Sequence, residues 1–526
     1  MLSTGAMYYL APIIASLFAL YHYVLYPAFF SPLSRIPSPH WSCSISDAWI
    51  LLARYHGREN RTLHAAHQKC GQIVRVGPRE VSVTSPEAVK VVYQGGFDKH
   101  SWYSVFDNFG VPCTFSSVHA RHHSIRKRMI SHVYSKSYIS ASLSHQADVI
   151  LNSSLIPVLA ASTSPSQAPH GIDVHSLFCA VAMDFISAYC FGFRRSANFI
   201  RDEPHRAHWL KLYTTRKGYG FFAQELPRLA KVLGHLGIRL TPRWVDAANR
   251  ELEAWCKELS DATIRELKKS GPPLDSADDP VVVRTLLAGY DKEKCTRGEE
   301  SLLFSTTILH PELSVASEVF DHVLAGQETT GVALTYLSHH LSQSLDLQRE
   351  LRDELLSLQP NMLLTNGRMA MPDSKQLHGL PKLHAMILET VRRYAPAGGP
   401  EPRVAPSPSC LIGPYEIPGG TRVSASAYNL HRDEQVFSSP EQWDHTRWLG
   451  GNNETANRQF WGFSSGGRMC LGSNFAMHDM KLTIAAIYTN FTSHIVDDRG
   501  IEQTDMYTGH PKSNALYLRF ERNPSL

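Results

Sequence analysis

From Met7 to Phe30 the chain reads MYYLAPIIASLFALYHYVLYPAFF, without one Asp, Glu, Lys or Arg. At roughly 1.5 Å rise per residue such a run crosses a hydrocarbon core of about 30 Å as a helix. It therefore predicts a transmembrane helix within residues 1–30 and places everything after it at a membrane surface. A cleaved signal peptide would have a basic start and a shorter apolar core, and neither is present. No Lys or Arg precedes the run, whereas Arg35, Arg54, Arg58 and Arg61 follow it, so the positive-inside tendency leaves the bulk of the chain in the cytosol. The cysteines, 9 in number with no CxxC pair, read as reduced thiols on that side. The sequons at Asn152, Asn453 and Asn490 then read as chance matches, since glycosylation needs the other face.

After the span, SPLSRIPSPH (31–40) carries Pro32, Pro37 and Pro39 and reads as a stiff extended connector. The rest, 41–526, has a globular composition, 43% hydrophobic and 19% charged residues, and a formal charge of +4 that excludes an ordinary nucleic-acid binder. GQIVRVGPREVSVTS alternates about the turn Gly77-Pro78 as a hairpin does. Beyond Pro86 most patterns are helical, broken by Ser/Pro-rich loops at Ala161 to His170 and Ser270 to Pro280. A long helix is predicted from Glu312 to about Gln343 and another from Pro381 to before Pro396, opened by proline at a first-turn position. CLIGPYEIP and TRVSASAYNL read as strands around the turn Pro418-Gly419-Gly420. The expected class is mostly α with a minor β portion, in one large domain.

One cysteine is set apart. In FSSGGRMCLG, Phe463 to Gly472, the glycines allow positive φ and close backbone approach, and the following SNFAMHDMKLTIAAIYTNF reads as an amphipathic helix. Cys470 would sit just before or at that helix N-terminus, where unpaired amides favour a thiolate. A single thiolate without neighbouring Cys or His ligands suits an axial ligand to haem iron better than a zinc site. Inside the predicted long helix stands AGQETT, Ala325 to Thr330; ETVRRYAP holds Glu389 and Arg392 at ExxR spacing; DHTRWL holds Arg447. ExxR alone is common, and EPHR at Glu203 to Arg206 also spells it. HRD at His431 lacks the Asn, DFG and Gly-rich loop of a kinase, and His119, His122 and His123 crowd together without a metal-site framework.

Taken in order, FxxGxRxCxG, AGxET[TS] and ExxR resemble the cytochrome P-450 superfamily of haem-thiolate monooxygenases, and segments such as ELSVASEVFDHVLAGQETTG are most similar to its fungal microsomal members. The resemblance runs from about Pro32 to the C-terminus. It implies a single haem domain behind the membrane helix, with haem b held by Cys470 as iron ligand, Phe463 beside the sulfur and Arg468 on a propionate. Ala325 and Gly326 would let the long helix pass close over the ring, with Thr329 and Glu328 relaying protons to bound oxygen. Glu389, Arg392 and Arg447 would form a structural clamp. Arg403 in PEPRV and His123 would also meet propionates, with Lys127 standing where the family has Arg, a loss of the bidentate fork that the neighbouring Arg126 or Arg128 could supply.

The implied reaction is insertion of one oxygen atom of O2 into a lipophilic small molecule, a fungal secondary metabolite such as a polyketide or terpenoid. The chain has no GxGxxG loop, so electrons would come from a separate NADPH-dependent flavoprotein reductase, for which Arg126, Lys127 and Arg128 offer a basic docking patch. The expected location is the endoplasmic reticulum membrane, single-pass, with the catalytic domain facing the cytosol. FFAQELPRLAKVLGHL, Phe221 to Leu236, mixes apolar and basic residues as an interfacial segment would. The family's pocket positions fall here on Phe106, Phe109, Phe115, Asp321, His322, Gly398 and Gly399, and Asp321 or His322 would anchor a polar group of the substrate. The alternative reading is a haem-thiolate isomerase or dehydratase acting without O2, or a ring-rearranging oxidase; the intact Glu328 and Thr329 speak for oxygen activation.

Overall fold

The computed structural model describes residues 4–164, 166, 168–450 and 453–523, with side chains from Pro12 onward. Residues 1–3 of the expected anchor, Pro165 and Gln167 of the expected loop, and 524–526 of the expected domain lie outside the described residues. The fold is mostly α with a minor β portion.

The chain is helical from Thr4 to Phe30, with the hydrogen bonding widening to the i→i+5 pattern from Tyr21. Pro12–Phe30 has a mean hydropathy of 1.6 and none of it is buried. Val174–Phe191 is equally apolar, but 94% of it is buried. It packs along the long helix Pro311–Ser342, and a Cβ on Gly331 would come within 2.7 Å of Cys179 Sγ and 2.9 Å of its Cα. Only a glycine lets the two backbones run this close. The connector is not extended throughout, since Pro32–Arg35 forms a 3-10 turn, and it is tied down: Leu33 and Ile36 are buried, and Arg75 donates from its backbone N to Pro37 O and from Nη1 to Pro27 O of the preceding helix, each at 2.9 Å.

A five-stranded sheet is built in the order Ile73–Gly77, Glu80–Val83, Arg422–Ser424, Arg403–Val404 and Asp98–Lys99. The first two strands form the expected hairpin. The last pair runs antiparallel with Arg403 opposite Lys99. CLIGPYEIP is two strands, Ser409–Ile412 and Tyr415–Pro418, because Gly413 turns the chain at φ 56°. TRVSASAYNL is a strand only to Ser424; Ser426 accepts from Asn429 N and caps the short helix Ala427–Leu430. The Ser473–Asn490 helix is buried on every side from His478 onward rather than amphipathic, since other helices surround it.

The short helix Phe221–Glu225 packs on the Ser101–Phe106 turn and on the Ala48–Tyr55 helix. Its last residue, Glu225, accepts from Arg54 Nη1 at 3.0 Å and Arg422 Nη1 at 2.8 Å, and Glu80 shares both arginines. All four side chains are buried. Beyond it, Pro227–His235 exposes Leu229 and Val232, followed by exposed Leu236 and Ile238.

Candidate functional site

The loop before the Ser473–Asn490 helix is shaped by positive φ at Ser464 (60°) and Gly466 (72°). A Cβ on Gly466 would stand 2.2 Å from Tyr93 O, so this position admits no side chain. The loop closes on itself where Cys470 N donates to Phe463 O at 2.9 Å. Lys127 Nζ donates to Gly467 O at 2.9 Å and Met469 O at 3.1 Å, strapping the Ala120–Ile130 helix to the loop. Cys470 is surrounded by protein, yet its side chain stays accessible, so it faces an interior cleft. Burial pushes its thiol up to about 11, against the Gly472 amide and the Lys127 ammonium. As expected, Cys470 lies just before a helix N-terminus, the helix starting at Ser473, and the Gly472 amide favours the thiolate; in the protein alone desolvation outweighs it. A thiol in such a place ionises when it coordinates a metal ion.

Close to the thiol loop the fold concentrates positive charge. Lys99 is buried between the rings of Tyr103 and Phe115, 3.9 and 4.0 Å from their centroids, and donates to Phe115 O at 2.6 Å. Its sheet partner Arg403 donates to Tyr103 Oη and Glu401 Oε2, each at 3.1 Å, and lies 4.7 Å from the Tyr93 ring centroid. Arg468 donates to Ser117 O and Val118 O at 2.6 Å each. Burial, followed by Arg403, drives the Lys99 ammonium well below its ordinary value. The same two causes push Arg468 down to about 10, and burial with Arg468 and Lys99 brings buried His123 to about 3. Like charges directly opposite in a sheet are destabilising, and Glu401 and Asp98 are too few to balance this group. The arrangement suits an anion with two carboxylates, and a thiol beside it suits iron: the residues fit haem. Arg126 is corrected: it is buried and donates to Thr306 Oγ1 at 3.2 Å, so neither a propionate contact nor a surface patch includes it. Arg128 is exposed.

On the long helix, everything from Ser314 to His339 is buried except Asp321, Leu324, Ala325, Gly326 and Thr329, which keep accessible surface. Spacings of three and four put them on one stripe. Asp321 lies near enough to Cys470 for its charge to push the thiol up, so the stripe and the thiol are neighbours. A Cβ on Gly326 would meet Ile186 Cγ1 at 3.0 Å. Thr329 Oγ1 donates to Ala325 O at 2.7 Å. Glu328 is buried, ion-paired to Lys217 Nζ, and accepts from Tyr213 Oη at 2.9 Å. Burial alone would raise its carboxyl; Lys217 and Tyr213 hold it below the usual range.

Of the expected pocket residues, Phe106 and Phe115 meet edge to face at 5.2 Å, both half-buried, beside Tyr103. Phe109, at φ 54°, leans on Phe320 with ring centroids 6.2 Å apart. His322 turns the other way: its Nδ1 shares a 2.9 Å hydrogen bond with Tyr134 Oη and its Nε2 lies 3.4 Å from Glu318 Oε1, deep in the core. Gly398 and Gly399 are both buried. A Cβ on Gly399 would reach 2.6 Å from Tyr507 Cα, so Tyr507 covers that position.

Behind the loop, Glu389 is fully buried and accepts from Arg392 Nε (2.8 Å) and Nη2 (2.9 Å), Arg447 Nε (3.0 Å), Trp448 Nε1 (2.9 Å) and Asp444 N (2.9 Å). Arg392 also donates to His431 O at 2.9 Å and Pro440 O at 2.8 Å. Lys99, Glu401, Tyr213, Lys217 and Trp448 were not anticipated from sequence; only Glu401 carried a signal, standing two residues before Arg403.

A model of the cytochrome P-450 family matches residues 44–517. Among similar proteins, the cytochrome P-450 monooxygenase cypX of Dothistroma septosporum is 25% identical over 492 residues, covering 90% of this chain and 88% of its own length. The monooxygenase aflV of Aspergillus parasiticus is 27% identical over 479 residues, 88% of this chain and 86% of its own. The N-acetyltryptophan 6-hydroxylase ivoC of Emericella nidulans is 26% identical over 489 residues, with coverage of 91% and 89%.

Proposed function

The chain belongs to the cytochrome P-450 family of monooxygenases, and we propose that it inserts one oxygen atom of O2 into a lipophilic small molecule at a membrane surface, using electrons from a separate NADPH-dependent flavoprotein reductase. The observation that carries the reading is the group of basic residues, with Lys99, His123 and Arg403 buried and Arg468 half-buried, beside an accessible thiol. Haem, when bound, supplies dioxygen binding and oxidative chemistry. In this reading Cys470 would ligate the iron, Phe463 would shield the sulfur, Arg403 and Arg468 would neutralise the two carboxylates, and His123 would donate a hydrogen bond to one of them, with Lys99 adding positive charge nearby. Lys127, in place of the family's arginine, acts on the loop carbonyls rather than on a propionate. Ala325 and Gly326 keep the wall of the cleft low, and Thr329 Oγ1 can hold a proton toward it by rotating away from Ala325 O. Glu328 stands behind it as the carboxylate of a proton relay that includes water, with Tyr213 and Lys217 fixing its orientation.

Residues 1–30 form the anchor in this proposal, 31–40 the connector and 41–526 the catalytic domain, in the endoplasmic reticulum membrane and facing the cytosol. The exposed apolar surface of Leu229, Val232, Leu236 and Ile238 supports an interfacial seat. A fungal secondary metabolite is the expected substrate class. The test is a spectrum of the reduced protein with carbon monoxide, wild type against Cys470→Ser, followed by turnover with and without reductase. A thiolate-type band lost in the variant supports the ligand assignment, and an imidazole-type band overturns it. Full turnover without an electron donor turns the reading to an isomerase or dehydratase.

A further inference from the structure

Of the two residues expected to anchor a polar group of the substrate, His322 is turned into the core and Asp321 is left, and its placement is unusual. It lies on the accessible stripe of the long helix, one turn before Ala325 and two before Thr329, while its neighbours Phe320 and His322 are buried. Among the described residues its carboxylate makes no ion pair, and its hydrogen-bonding neighbour is the thiol of Cys113, a weak donor. Lys99 senses it, but that ammonium is turned onto Phe115 O and two rings. The other charged neighbours divide without it: His322 is taken by Tyr134 and Glu318, and Glu318 Oε2 accepts from Thr114 N at 2.8 Å. A carboxylate taken from water and left without a partner is costly. Here burial pushes it up to about 7. A carboxylate that faces a cleft with no partner of its own is a receptor for an organic cation, because its charge is left to the ligand.

We propose that Asp321 selects substrates carrying a protonated or quaternary nitrogen, seating that cation one to two helical turns from Thr329 while the apolar remainder lies toward the oxidising centre. The inference rests on the monooxygenase reading and names the substrate class of the same site. A neutral molecule leaves the carboxylate unpaired, and an anionic one is repelled, so the residue discriminates by both attraction and rejection.

The test uses the full-length haem-loaded protein and three probes with one aryl-alkyl tail: phenylbutyltrimethylammonium, whose nitrogen has no lone pair for iron, phenylbutanol, and phenylpentanoate. Affinities are measured by calorimetry for wild type, Asp321→Asn, Asp321→Ser and Asp321→Glu. The expected result is that wild type prefers the cation over the alcohol by about tenfold or more. Asn and Ser should abolish that preference, leave alcohol affinity within about twofold and admit the carboxylate probe, and Glu should retain the preference. A wild type that binds the cation no better than the alcohol, or not at all, overturns the inference, as does a preference that survives in Asn or Ser. The carbon monoxide spectrum of each preparation keeps the two questions apart. A wild type without thiolate-type haem contradicts the monooxygenase reading, whereas an intact spectrum with no charge preference contradicts only the role of Asp321.

Discussion

Glu389 is the residue whose replacement should be felt furthest from its own position. Glu389→Gln keeps the volume and one acceptor oxygen, but it removes the charge facing Arg392 and Arg447 and turns an amide N–H2 toward groups that are themselves donors. Removing one member of a buried pair costs about 3–5 kcal/mol, because the partner charge stays buried. The bonds from Trp448 Nε1 and Asp444 N are lost or weakened with it, and such losses within one network do not add. A total of about 4 kcal/mol follows, about a thousandfold in the folded-to-unfolded ratio, out of about 5–15 kcal/mol of stability. The assay is urea unfolding in detergent micelles, followed by tryptophan fluorescence, which Trp443 and Trp448 make sensitive to this region. The matched control is Glu203→Gln, whose side chain is 78% exposed in a pair with Arg206; it should change stability by less than about 0.5 kcal/mol. A loss below about 1 kcal/mol for Glu389→Gln would refute the clamp.

Three further outcomes are expected. Lys217→Met removes the ammonium that opposes the effect of burial on Glu328, so the ionisation of Glu328 moves to higher pH in the turnover profile; a profile superimposable on wild type contradicts its part in proton delivery. Gly331→Ala drives a Cβ against the Cys179 backbone and should cost about 1–3 kcal/mol, read as a lowered thermal midpoint, and an unchanged midpoint would mean the two helices are free to separate. Burial acts to raise the Glu80 carboxyl, but Arg422 and Arg54 overcome it and hold it at about 2. Its folded value lies below an unfolded value of about 4.3, so its stabilisation is complete above about pH 4.3 and lost as pH falls toward about 2. Glu80→Gln should flatten that part of the stability profile, and an equally steep acid limb would assign the loss to other groups.

The residues that could be named in advance were those whose role is local. Gly466 shapes its own turn, Cys470 stands alone among glycines, and Glu389 and Arg392 share one helix face, so each left a short pattern in the chain. Lys99 reaches Arg403 across a strand pair separated by most of the sequence, and Lys217 and Tyr213 meet Glu328 from a different helix. No spacing rule connects such residues. The helix end after Cys470 is legible in the sequence, whereas the burial that opposes its effect on the thiol comes from the rest of the fold. Burial also decides the Ser473–Asn490 helix: His478, Asp479 and Lys481 look like a polar face, yet all are buried, and Lys481 is accommodated by donating to His378 O at 3.0 Å. Asp321 and His322 show the limit most sharply. They are adjacent and both polar, and only the packing around Tyr134 and Glu318 tells which of them faces the cleft.

The ion network around Glu225, five-membered when Glu59 on Arg54 is counted, bears on time rather than on structure. Lifting the Phe221–Glu225 helix away from the Ser101–Phe106 turn requires Glu225 to leave Arg54 and Arg422, and buried charges separate slowly because water must reach them first. Motion of this helix is therefore slow beside that of an unlatched surface helix. Where substrate passes this helix and electrons arrive faster than it lifts, the same molecule is oxidised again before it leaves, and weakening the latch then shifts the output from multiply oxidised products toward singly oxidised ones.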